Sequence, residues 1–167
     1  MNLDDILLAL HDLPLAEAVR SDAAGTRWLF PIIETMHVLA LATVFGSIAM
    51  LDVRLLGFAG RDTAVSRLSG EILPWTWCAW VLAALTGSVM FISKSIAYAG
   101  NFQFQMKFVC MALAGLNMLV FHFGVQRSIA VWDNASQPPL AAKLAGGLSL
   151  GLWLAVIFFG RWVGFTT

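Results

Sequence analysis

Glu34 and His37 stand three residues apart inside a long apolar run. On a helix that spacing makes them neighbours on one face. A carboxylate beside an imidazole supports three kinds of chemistry. It can fix the imidazole tautomer while the other ring nitrogen binds a metal or haem iron. It can relay protons. The two groups can also pair and offset the cost of placing each other in lipid. Di-iron bundles use the same E-x-x-H spacing, but with a second copy and further glutamates, and the sequence supplies neither. His122 sits near the far end of another apolar run, and His11 lies in a more polar stretch close to the start.

Histidine and methionine are common axial ligands of haem b. For His37 the candidate second ligands are Met90, Met111 and His11. For His122 they are Met50 or a histidine of another protomer. Met111 and Gly115 precede His122 by 11 and 7 residues, which puts all three on one helical stripe with Met118 beside it. A glycine there leaves room for a flat macrocycle. The plainer account of the stripe is core packing with methionine filling gaps. Arg54 and Lys107 lie near the ends of their apolar runs, where a cation can bind haem propionates. Membrane-interface anchoring accounts equally for them and for Trp28, Trp75 and Trp77. Asn117 falls on a different face from His122 and is expected to hydrogen-bond a neighbouring helix.

The elements that position these residues are apolar helices. The chain has 167 residues, 59% hydrophobic and 12% charged, with a mean hydropathy of +0.80. A soluble domain is nearer a quarter charged. The composition therefore excludes an ordinary soluble domain, a disordered chain and a charge-driven nucleic-acid binder. Ten basic residues balance ten acidic ones, so no net field steers a partner. Cys78 and Cys110 lie inside apolar runs and read as small buried hydrophobes, not as a disulfide or zinc site.

Apolar segments at about 29–56, 72–97, 104–125 (continuing toward 132) and 140–163 each reach the roughly 20 residues that span a bilayer. Short connections predict an all-α, up-down four-helix bundle in the membrane, formed by residues 28–167. The first and third spans then run the same way. This puts His37 and His122 roughly 20 Å apart in depth, too far to share one iron within a protomer. Residues 1–27 carry Asp4, Asp5, Asp12, Glu17 and Asp22, with Leu3, Ile6, Leu7 and Leu10 at helical spacing. They predict an amphipathic interfacial helix, split at Pro14 with Asp12 as N-cap, lying over one end of the bundle. They lack the basic start and continuous apolar core of a signal peptide. Basic residues divide evenly between the two faces: Arg54, Arg61, Arg67, Arg127 and Lys143 against Arg20, Arg27, Lys94, Lys107 and Arg161. Placing Arg61 and Arg67 in a loop favours both termini outside. Gly147 and Gly151, beside Gly146, have the small-xxx-small spacing that lets helices approach, within the chain or between copies in a homo-oligomer.

The run Trp28-Leu29-Phe30-Pro31 with Glu34 and His37 is followed by Leu51-Asp52-Val53-Arg54-Leu55-Leu56-Gly57. Leu73-Pro74-Trp75, Asn101 through Lys107, and Ala114-Gly115-Leu116-Asn117 leading to His122 come later. Together these resemble a bacterial family of small four-helix membrane proteins of unknown function, distantly like the copper-resistance D and cytochrome-b-like membrane proteins. The resemblance covers most of residues 28–123. It implies a multi-pass protein of the bacterial inner membrane, and it marks Glu34, His37, Asp52, Arg54, Lys107, Asn117 and His122 as family-like positions.

Three functions fit these residues. The first is a b-type haem protein moving electrons from a quinol or redox protein, with His37 and His122 as iron ligands near opposite leaflets and Glu34 orienting His37 or passing protons. The second is a copper-handling protein with Met36, His37, Met90 and Met111 along a path. The third is a structural membrane subunit in which the histidines are satisfied core groups. No Ser-His-Asp or metal-hydrolase spacing supports hydrolysis.

Overall fold

The computed structural model describes residues 2–21, 23 and 25–166. Two short helices come first, α1 (Leu3–His11) and α2 (Pro14–Arg20). Then follow α3 (Leu29–Leu56), α4 (Val65–Ser93), the short α5 (Ser95–Ala99), α6 (Phe102–Phe123), α7 (Ile129–Trp132) and α8 (Leu140–Thr166). A 3-10 turn at Val125–Ser128 joins α6 to α7. There is no strand among the described residues. Four segments are long and apolar enough to cross a membrane: α3, α4, α6 with its extension to Trp132, and α8. The chain is an all-helical, multi-pass membrane bundle. Its outward surface is apolar, with residues such as Trp75, Leu85, Val120 and Leu144 exposed where lipid would cover them.

The helices alternate in direction. One end of the bundle gathers the start of α3, the end of α4, α5, the start of α6 and the end of α8. The opposite end gathers the end of α3, the start of α4, α7 and the start of α8. Helix α3 packs against both α4 and α8, and α6 packs against α8. The neighbours α4 and α6 stay apart over much of their length, and the space between them becomes a cavity.

The α3-end face is closed by packing and hydrogen bonds. Leu55, Val65, Trp132 and Ala142 form its core, with Leu51, Phe121 and Ile129 against them. Gly146 lets α8 meet α3, since a Cβ there would lie 3.0 Å from the Leu55 Cβ and 3.1 Å from the Asp52 carbonyl oxygen. Gly147 meets α3 more loosely, a Cβ there lying 3.6 Å from the Leu56 Cδ2, and a Cβ on Gly151 would meet nothing within 4 Å. Arg54 is buried and donates from Nε to the Thr63 carbonyl (2.8 Å) and from Nη2 to the carbonyls of Asp133 (3.3 Å) and Ala135 (3.1 Å). Gly57, in the left-handed conformation at φ 78°, ends α3. Asp133 accepts from the Ser66 N–H (2.8 Å) and hydroxyl (2.5 Å), so a residue 67 positions away caps the start of α4. These bonds hold the Asp133 carboxyl below its usual range, the Ser66 hydroxyl contributing most.

At the other end, α1 and α2 fold into a hairpin over the junction of α4 and α5. Arg20 Nη1 donates to the His11 ring Nδ1 and carbonyl, each at 2.8 Å, and to the Ser93 carbonyl at 3.2 Å. The Ser95 hydroxyl donates to the Leu7 carbonyl at 2.8 Å. Asn101 caps α6 by accepting from the Phe104 N–H and ties down α8 by donating to the Thr166 hydroxyl (2.8 Å).

Three local expectations are corrected. The break at Pro14 occurs, but Leu13 is the N-cap of α2 and Asp12 ends α1, because proline at N1 already fixes the helical φ. Arg67 lies in the first turn of α4, not in a loop, and pairs with Glu71 at 2.9 Å across one turn. Only Arg61 of that pair of arginines is left in the connection. Cys110 is buried, whereas Cys78 is exposed on the outer face of α4. Asp22, counted in the acidic segment, lies outside the described residues.

Candidate functional site

His37 lies eight residues into α3, and Thr86 lies seven residues before the end of α4. Because the helices are antiparallel, that places them at one depth. The His37 Nδ1 and Thr86 Oγ1 are 3.0 Å apart. With the Thr86 hydroxyl donating to the Leu82 carbonyl at 2.7 Å, its oxygen can accept from the imidazole, and the ring also bonds the Ala83 backbone. In that tautomer Nδ1 carries the proton and Nε2 keeps its lone pair. A hydrogen bond at one ring nitrogen prepares a histidine to bind a metal through the other. Gly87 makes the approach possible, since a Cβ there would lie 2.9 Å from the His37 Cε1.

Two cavities meet at His37. The first, about 530 Å³, lies between α4 and α6, well within the roughly 300–1,000 Å³ of small-molecule sites. Ala83, Ala84 and Gly87 give it a flat wall on α4, and Trp80, Phe108 and Trp153 supply aromatic walls. Met111 of α6 lines it together with His37. Phe91 and Phe104 stack at 5.4 Å and 11° at one margin, and Tyr98 continues the stack on Phe104 at 5.4 Å. The second cavity, about 460 Å³, runs along α3 and α8 and is lined by Glu34, Met90, Lys94, Tyr98 and Arg161 among others.

His37 and Lys107 line both cavities. Lys107 is half-buried five residues into α6. Its stem lies over Gly160, where a Cβ would be 3.5–3.7 Å from Cδ, Cε and Nζ. It is close enough for its charge to act on the His37 imidazole. No hydrogen bond or ion pair to it is formed by the described residues. Glu34, one turn before His37, lines the second cavity but does not orient the imidazole; Thr86 does. Its carboxylate lies near Tyr98 of α5, whose phenol burial pushes up, with Glu34 acting the same way.

The remaining candidates lie elsewhere. His11 is engaged by Arg20 in the terminal hairpin. His122 is exposed near the end of α6, its Nδ1 2.7 Å from the Gln126 side-chain oxygen, and lines neither cavity. A Cβ on Gly115 would meet nothing within 4 Å. Arg54 serves loop carbonyls at the opposite end, with Nη1 left without a partner. Asp52, likewise buried, bonds Ser149 and leaves Oδ2 unpartnered. Asn117 donates to the Ala145 carbonyl of α8 at 3.0 Å, as expected of a helix-bridging amide. No three His, Cys, Asp or Glu side chains among the described residues cluster to hold a metal ion.

The comparison with protein families reaches the same span as this bundle. The chain belongs to the family described as a family of unknown function, DUF6644, whose profile matches residues 26–166. No curated protein and no solved structure matches it. The match covers α3 through α8 and leaves α1 and α2 outside. Within DUF6644 membership, no link to copper-resistance D or cytochrome-b proteins is shown.

Proposed function

We propose that this protein is a b-type haem protein of the bacterial inner membrane that passes electrons from a quinol or redox-protein donor. One observation carries the reading: a membrane-embedded histidine whose Nδ1 proton is engaged by Thr86 and whose Nε2 lone pair is left for a ligand beside a flat aromatic cavity. Haem brings four nitrogen ligands of its own and needs only one or two side chains from the protein. Its chemistry when bound is one-electron transfer. His37 would supply one axial nitrogen and Met111 is the second candidate. The small Ala83 and Ala84 leave room for the ring beside Trp80, Phe108 and Trp153.

The proposal places haem at His37. His122, exposed on α6, lines neither of these two cavities, so the proposal places no haem there. A copper site would draw on His37, Met90 and Met111, which line these two cavities, whereas Met36 lines neither.

The test is a reduced-minus-oxidised visible spectrum of purified protein expressed with ample haem, with a pyridine haemochrome assay for stoichiometry. The expected result is about one haem per chain, lost in His37→Ala and kept in His122→Ala. A colourless folded protein, or an unchanged spectrum in His37→Ala, refutes the proposal.

A further inference from the structure

The second cavity has a shape and charge of its own. It borders α3 from Phe30 to Phe45, about 22 Å along the helix at 1.5 Å per residue. With a volume of about 460 Å³ the cavity is elongated along α3, the outline of an extended hydrocarbon chain.

Polar groups line only its outer part. Lys94 ends α4, Arg161 lies five residues before the end of α8, and Lys107 lies five residues into α6. Beyond them the wall is apolar, with Val38, Leu41, Ala42 and Phe45 leading inward. Three cations face this cavity against the single carboxylate of Glu34. Lys94 lies over the Phe30 ring (5.5 Å) and Arg161 over the Phe165 ring (4.8 Å), while Lys107 has no partner among the described residues. A cation kept in a membrane span without a counter-charge is costly. Gly160 clears space for its stem, so the fold holds the ammonium there.

From Lys107, unpartnered among the described residues, at the head of this elongated cavity, we infer that the cavity binds a single-chain anionic amphiphile, its carboxylate or phosphate on Lys107 and its chain along Val38, Ala42 and Phe45. Lys94 and Arg161 draw the headgroup in from the membrane surface. The inference stands apart from haem binding: this cavity shares His37, Leu41 and Lys107 with the first cavity and is otherwise lined by different residues.

The test uses the whole protein, without haem, in digitonin at pH 8. Unfolding temperature is followed with laurate, dodecyl phosphate and dodecanol. Saturating laurate or dodecyl phosphate should raise it by about 5 °C, and dodecanol by less than half as much. Whichever anion protects more identifies the headgroup. Lys107→Met should weaken the anion by about tenfold and leave it equal to dodecanol. Ala42→Trp, which fills the chain channel, should abolish protection by all three. The inference fails if dodecanol matches both anions in the parent protein, or if Lys107→Met keeps the preference. It fails also if Ala42→Trp is protected as the parent is. Loading with haem should leave laurate protection intact; its loss would mean that Lys107 serves the haem carboxylates and that the cavity is no separate site.

Discussion

A single methyl group at Gly87 tests whether His37 is held as the structure describes. A Cβ there would lie 2.9 Å from the His37 Cε1, whereas ordinary contact begins near 3.4 Å. The ring must retreat by about 0.5 Å, the difference between those distances. Gly87 and Thr86 are adjacent on α4, so retreat from one is retreat from the other. The Nδ1–Oγ1 separation of 3.0 Å then approaches 3.5 Å, and the bond is lost or nearly so.

Thermal stability is the wrong readout for this change. Losing the hydrogen bond costs about 0.5–1.5 kcal/mol, and replacing glycine by alanine inside a helix returns up to about 1 kcal/mol. The two nearly cancel. The informative assay is 15N NMR of histidine-labelled protein in nanodiscs, with His37 assigned by difference from His11 and His122 variants. The parent should show a protonated Nδ1 and a lone pair on Nε2. Gly87→Ala should mix the tautomers, and Thr86→Val, which removes the acceptor without changing shape, should do the same. If haem binds as proposed, both changes should weaken its binding by about 10–100-fold, the usual effect of losing the group that orients a ligating histidine. An unchanged tautomer in both variants would falsify the role given to Thr86.

Other consequences concern the closed end. Gly146→Leu must drive α8 from α3, because the atoms in its way are the Leu55 Cβ and a backbone oxygen that cannot rotate aside. The expected loss is about 1–3 kcal/mol in reversible unfolding in mixed micelles, and an unaltered midpoint would contradict the packing. Asp133→Ala removes the cap on α4 and should cost about 1 kcal/mol. The same bond sets a pH dependence. The Asp133 carboxyl is held below its ordinary value of 3.8, so its contribution is complete above that value and disappears as pH falls through the lower folded value. A stability profile from pH 6 to 2 should therefore be flatter in Asp133→Asn than in the parent.

The sequence makes the bundle legible because hydropathy has to satisfy a bilayer. Four long apolar runs with short connections leave little choice of topology. The helix ends were less legible. Helix α4 begins at Val65, well before its apolar part, because Asp133 caps it from a distant loop. No local pattern announces a cap 67 residues away. In the site, Glu34 and His37 advertise themselves by spacing, yet the group that orients the imidazole is Thr86. A threonine in an apolar run usually turns its hydroxyl to its own helix, and Thr86 does that as well. Matching depths across the antiparallel pair α3 and α4 would have singled out Thr86–Gly87 opposite His37. Met111 and Lys107 reach the same cavity, but Gly115 and His122, on the stripe drawn through Met111, do not. A stripe records direction around one helix; it does not say which neighbour is absent, and the gap between α4 and α6 is a tertiary fact.

Arg54 and Lys107 look alike in sequence, each a lone cation near the end of an apolar run, and the structure separates them by what satisfies them. Arg54 spends its donors on three backbone carbonyls that join the connections after α3 and α7. Removing it strands those carbonyls in a buried site. Arg54→Met should therefore lower the stability of the ligand-free protein by at least about 3 kcal/mol, and Arg54→Lys, which keeps the charge without the planar fork, should recover only part. Lys107 holds nothing together in the absence of a ligand. Its ammonium is desolvated without a partner, so Lys107→Met should leave the ligand-free protein as stable as the parent or more so. Denaturation of both variants, stripped of cofactor and lipid, reads the difference directly. Equal destabilisation would mean that Lys107 is structural after all, and the charge at the junction of the two cavities would then no longer point to an anion.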